Sequence, residues 1–109
     1  MVVHVVLFKP RADLTASDRA AFVSALERTI KEIPTVRGVR VGRRVTFGAG
    51  YEKTAPDAAD YLAVLEFDDL AGLQTYLQHP AHEGLGNRFN ESTAAGLAYD
   101  FELVDVGEI

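Results

Sequence analysis

Hydrophobic positions along the chain fall into four strand-like stretches and three helix-like ones. Residues 2–8 are rich in β-branched side chains and apolar at both parities, which predicts a strand buried on both faces and ended by Lys9 and Pro10. Thr15 followed three residues later by Asp18 has the form of a capping box. The helix it opens carries Phe22, Leu26, Ile30 and Ile33 at three- and four-residue spacing, and Pro34 ends it. Next comes the clearest period of two in the chain: Val39, Val41, Val45 and Phe47 on one side, Arg40, Gly42, Arg44 and Thr46 on the other. That pattern predicts a strand with one wet face. Residues 48–60 form a polar loop of about a dozen residues, long enough to be functional or mobile.

Residues 61–67 predict a third strand, apolar on both faces apart from Glu66. Asp68 and Asp69 then cap a short helix with Leu70, Leu73, Tyr76 and Leu77 along one side. Pro80 breaks it, and a further helix from Ala81 to about Thr93 turns Leu85 and Phe89 inward. Tyr99, Phe101 and Leu103 alternate with Asp100 and Glu102 as a fourth strand. The order β-α-β-β-α(α)-β is the split βαβ arrangement of an α+β, ferredoxin-like protomer: a four-stranded antiparallel sheet with helices on one face.

That layout leaves a problem. Helices cover one face only, yet the first and third strands are apolar on both, and an open sheet of Val, Leu and Phe exceeds what monomers usually expose. A second copy packed sheet to sheet solves it, so a homodimer through the sheet face is expected, its eight strands closing toward a dimeric α/β barrel.

Composition narrows the function more than the fold. The 109 residues suit a single domain, and 48% hydrophobic with 25% charged residues is ordinary for a globular protein. A net charge of -5 argues against nucleic acid or an anionic membrane as partner. The basic residues Arg37, Arg40, Arg43 and Arg44 read as a solvated strand face. With no cysteine, thiolate catalysis, disulfides and cysteine zinc sites are excluded. No basic, apolar or cleavage pattern of a leader precedes the first strand, so a cytoplasmic location without a membrane span is expected.

The candidate chemistry lies at the proline break, where His79 and His82 flank Pro80 and Tyr76 ends the preceding helix. Pro80 disfavours a helical His79 and suits the first turn of a new helix, so the histidines sit at a junction. A neutral imidazole at His82 can take a proton, and the Tyr76 hydroxyl can steady a developing oxyanion. The alternative is that His82 supports the junction and Tyr76 is a core aromatic. His79 and Pro80 read best as the hinge, although His79 is kept with His4 as a candidate for lining a ligand pocket. His4 alternates with Val2, Val6 and Phe8 and points into an apolar layer. A zinc site from His4, His79 and His82 finds no obvious carboxylate beyond Glu83, so no metal and no cofactor are expected. Phe22, Leu26, Leu73, Leu85 and Phe89 lie between helices and sheet, as core or as walls of an apolar pocket reached past residues 48–60.

The opening residues 3–9, the Ile33-Pro34 turn and the pattern Tyr76-x-x-His79-Pro80-x-His82 with Gly84 and Gly86 resemble the stress-responsive dimeric α/β barrel (Dabb) family along nearly the whole chain. The resemblance implies a ferredoxin-like protomer that dimerises into a barrel. Its best understood chemistry is that of a plant polyketide cyclase, an intramolecular aldol condensation without a cofactor. The catalytic tyrosine and histidine of that enzyme match Tyr76 and His82, two further histidines match His4 and His79, and a fourth falls on Leu62. The expectation is therefore a homodimer that binds a small apolar or polyketide-like ligand between helices and sheet, with no established catalytic activity. The alternatives are a cofactor-free cyclase with His82 as base and Tyr76 as donor, or a cofactor-free monooxygenase of the same superfamily.

Overall fold

The structure, a computed structural model, describes residues 1–109. Its elements run β1 (Val2–Pro10), α1 (Ala16–Glu32), β2 (Gly38–Arg43), β3 (Tyr61–Phe67), α2 (Leu70–Gln78), α3 (Pro80–Ser92) and β4 (Thr93–Glu102), with 3₁₀ turns at Gly50–Lys53 and Val106–Glu108. The strands form one sheet in the order β2-β3-β1-β4, and every pair is antiparallel. This is the ferredoxin-like α+β arrangement that the hydrophobic pattern predicts.

Local sequence explains the helix starts. Thr15 and Asp18 exchange both hydrogen bonds of the capping box, each at 3.1 Å. At α2 the Asp69 carboxylate accepts the Gly72 N–H at 2.8 Å. Gly72 also brings α2 close to the sheet: a Cβ there would stand 3.5 Å from Thr35 and 3.7 Å from Phe67.

Two strands differ from expectation. β2 stops at Arg43 instead of continuing to Phe47, and Val45 and Phe47 are 77% and 74% exposed. Its partner runs out: Arg43 pairs with Tyr61, the Arg44 N–H reaches the Asp60 carbonyl, and no strand lies beyond. The Glu52 carboxylate then takes the N–H groups of Phe47 and Ala49 and turns the chain into the short 3₁₀ turn. Conversely, β4 begins at Thr93, directly after α3, and pairs with β1 over its whole length, while Leu103 falls outside the strand. Its first half, Thr93-Ala94-Ala95-Gly96, has small side chains and no alternation to read.

The core lies between helices and sheet, where Phe67, Ile33 and Leu73 are the largest side chains with essentially no exposure. Cross-strand register sorts the two faces, since residues directly opposite share a side. His4, Phe8, Ala63, Leu65 and Phe67 face the helices; Val3, Val5 and Leu7 of β1 pair with Phe101, Tyr99 and Leu97 of β4 on the other face. Leu62 and Val64 of β3 extend that apolar surface. Leu97, Tyr99 and Phe101 are 44%, 51% and 52% exposed, and no helix covers them.

Candidate functional site

The proline break is built by the chain itself. His79 adopts φ −73° and ψ 139°, the extended conformation a residue before proline prefers, so α2 ends there and α3 begins with Pro80. The His79 N–H donates to the Tyr76 carbonyl at 3.2 Å, closing α2, and its Nδ1 accepts the Ala81 N–H at 3.0 Å, opening α3. From α1, the buried Thr29 hydroxyl is within reach of the Ala25 carbonyl at 2.8 Å and the Ala81 carbonyl at 3.3 Å. Three helices thus fix one corner, and the side chains on either side of it are placed with little freedom.

Those side chains meet. Tyr76 is 2% exposed, and its ring lies 4.7 Å from that of His82 in an edge-on arrangement, 5.8 Å from His4 and 5.3 Å from Phe67. His4 rises from the centre of β1 into the same space and is 8% exposed. Its Nδ1 lies 2.6 Å from Oδ1 of Asp100, the residue directly opposite it on β4. With Nδ1–H donating to that carboxylate, the tautomer of His4 is fixed and Nε2 is its remaining polar atom. Asp100 is the member of this cluster that the sequence does not single out: its alternation with Tyr99 and Phe101 marks it only as a polar strand position.

Burial sets the protonation states. It pushes the Tyr76 hydroxyl up to about 12, so the phenol stays protonated at neutral pH. It also pushes the His82 imidazole down, helped by the electrostatic influence of nearby His4 and opposed by a hydrogen bond at the Leu77 backbone. His82 is therefore neutral at pH 7. A neutral imidazole beside a protonated phenol is a proton acceptor beside a hydrogen-bond donor, the pair that acid–base chemistry next to a carbonyl uses.

The profile of the stress responsive A/B barrel domain (Dabb) matches residues 2–103. The chain belongs to this family. Among curated relatives of this Dabb chain is olivetolic acid cyclase of Cannabis sativa, 23% identical over 100 residues, spanning 92% of this chain and 94% of that protein. Among solved structures, a hydroxynitrile lyase from Passiflora edulis superposes with a TM-score of 0.80 at 10% identity, covering 96% and 94% of the two chains. A protein from Jannaschia, described as a dimeric ferredoxin-like protein of unknown function, gives 0.75 at 22% identity, covering 94% and 98%. At these identities the structural likeness speaks for the fold.

Within this Dabb fold, the other predicted site residues are distributed as follows. His79 is engaged in capping, its Nδ1 turned to the α3 backbone. Leu73 and Leu85 are buried core, and Leu26 is half-buried on α1. Phe22 and Phe89 are half-buried and pack with Phe8, the three rings lying 5.5 to 6.3 Å apart, so side chains fill that part of the space between helices and sheet. Leu62, the position matched to a fourth histidine, pairs with Leu7 and Gly42 on the uncovered face and points away from Tyr76. A surface cavity of about 610 Å³ lies elsewhere, where β1 and β2 end and β3 begins. No helix of the chain is long and apolar enough to cross a membrane.

Proposed function

We propose that this Dabb protein is a homodimer that binds a small, largely apolar ligand with a carbonyl or hydroxyl group, held against Tyr76, His82 and His4. The single observation that carries this reading is the buried Tyr76–His82 contact at 4.7 Å, with the His4–Asp100 pair behind it. Buried Tyr76 and His4 beside half-buried His82, next to the apolar Leu65, Phe67 and Leu73, suit a ligand with an apolar body and one or two oxygens. The uncovered apolar sheet face supports the dimer, and so do structural neighbours described as dimeric.

A second reading is favoured by the protonation states. With His82 neutral and Tyr76 protonated, the site has the groups needed for aldol chemistry of the kind a polyketide cyclase performs. His82 takes the proton from a carbon between two carbonyls, and Tyr76 donates a hydrogen bond to the oxygen on which charge collects. The enolate carbon attacks a second carbonyl of the same chain, a carbon–carbon bond forms, and the imidazolium returns its proton to the new alkoxide. No cofactor enters this balance.

Benzoylacetone, a β-diketone with an apolar ring, tests both readings. Binding is expected to shift the amide resonances of residues 76–82, and Tyr76→Phe with His82→Ala is expected to abolish the shift; shifts confined to the uncovered sheet face would overturn the site. Exchange of its methylene protons with deuterium above the buffer rate, lost in His82→Ala, is the result expected of the enzyme. Binding without that exchange leaves the ligand-binding reading and removes the cyclase one.

A further inference from the structure

A cavity at the end of the sheet has no part in the chemistry at Tyr76 and His82, and its lining is strongly cationic. It is an open groove of about 610 Å³ at the end of the sheet, bounded by the ends of β1 and β2, the start of β3, the first turn of α1 and the segment after β2. Five cations line it: Lys9, Arg11, Arg19, Arg43 and Arg44. They are five of the chain's eleven Lys and Arg residues, gathered in a protein whose net charge is -5. Against them stand Asp57 and Asp60 in the lining and Asp13, which pairs with Arg11. On sequence alone Arg43 and Arg44 read as part of a solvated strand face; the fold gathers them with cations from β1 and α1.

We infer that this groove binds a small organic molecule through a phosphate-bearing group, most simply a diphosphate. Three observations support it. First, the surplus of cations over carboxylates in one groove matches a multiply charged anion better than a single carboxylate, and two of the cations, Lys9 and Arg44, already share one carboxylate. Four of the five are arginines, whose planar forks bind phosphate oxygens in pairs.

Second, the groove already holds an anion of its own. The Asp57 carboxylate lies 2.8 Å from Lys9 Nζ and 3.8 Å from Arg44, where it stands in for an oxyanion bridging the two cations. It is carried by the long segment between β2 and β3 and its side chain is 75% exposed, so an incoming phosphate can displace it without disturbing core packing. Arg11 is held by Asp13, whereas Arg19 and Arg43 form no ion pair with a carboxylate.

Third, the groove has one aromatic wall. Tyr61 lines it and stacks on Phe8 with ring centroids 5.6 Å apart and planes at 22°, giving an organic body attached to the phosphates a flat apolar surface. The volume exceeds what a bare phosphate needs.

The inference stands apart from the reading of Tyr76 and His82 and is tested without reference to them. Calorimetric titration of the whole protein at low ionic strength uses three probes: inorganic pyrophosphate, ADP and benzoate. The expected order is ADP tighter than pyrophosphate and pyrophosphate tighter than benzoate. The double variant Arg19→Gln, Arg43→Gln, which removes the two arginines without a carboxylate partner and so leaves the fold's ion pairs intact, is expected to weaken ADP binding by about tenfold or more. Asp57→Asn is expected to strengthen it by about threefold, because the competing internal anion is gone. Thermal melts of both variants, matching the parent within a few degrees, guard against misfolding. Benzoate binding more tightly than pyrophosphate, no binding of ADP, or equal ADP affinity in all three proteins would overturn the assignment.

Discussion

At the scale of single residues, the site is a set of protonation states imposed by burial, and pH should reveal them. The folded-state pKa of His82 lies below its unfolded value of ~6.5, so the unfolded chain binds the proton first as the pH falls. Its contribution to stability is complete above that value and is lost as the pH drops toward the folded one. Denaturant midpoints measured from about pH 7 down to about pH 5 should fall in the parent and fall less in His82→Gln. Tyr76 acts on the alkaline side: with the folded value at about 12, its contribution is lost as pH rises past the unfolded value of ~10, and Tyr76→Phe should flatten that decline. Asp100→Asn leaves the His4 imidazole with a neutral partner, and a stability loss of about 1–3 kcal/mol by denaturant titration is expected. The pattern Tyr76-x-x-His79-Pro80-x-His82 made Tyr76 and His82 visible in the sequence. Asp100 was not visible, because only strand register places it opposite His4.

At the scale of elements, the junction between α2 and α3 depends on His79, one residue that ends one helix and starts the next. His79→Ala should cost about 1 kcal/mol through the lost cap, measured as a lower melting temperature. Helix boundaries were legible because caps and prolines are local signals: Thr15, Asp69 and Pro80 act where the sequence places them. Strand lengths were less legible, since a strand lasts only as long as its neighbour. The alternation through Val45 and Phe47 continues where β3 has already ended, and the small residues that open β4 alternate in nothing. Those small residues have their own reason: a Cβ on Gly96 would stand 2.8 Å from the Phe89 ring. Gly96→Ala should therefore destabilise by about 1–3 kcal/mol, with Phe89 forced against Phe8 and Phe22, and a denaturation curve measures it.

At the scale of the whole molecule, the sheet face without helices is the proposed dimer face. Val5, Leu7, Tyr99 and Phe101 cannot all meet water without exposing more apolar surface than an isolated domain usually presents. Sedimentation at micromolar protein is expected to give a dimer, and Phe101→Lys a monomer with a lower melting temperature; a folded monomeric parent would refute the assignment of that face. The apolar parity of β1 and β3 carried this expectation in the sequence, whereas the cationic groove at the other end of the sheet joins residues from β1, α1 and β2 that no local pattern connects. One feature of the chain path joins the site to this face. α3 passes into β4 with no residue between them, Ser92 ending one and Thr93 beginning the other. The two therefore fold back on each other as one hairpin, which brings His82 near the start of α3 toward the stretch of β4 that holds Tyr99 and Phe101. A slack linker would absorb a small displacement of α3; a junction without one would pass it to β4, the strand of the proposed dimer face. Were a ligand held beside His82 in a dimer built through this face, its binding and the grip of the two subunits would be linked, each altering the other by the same free energy.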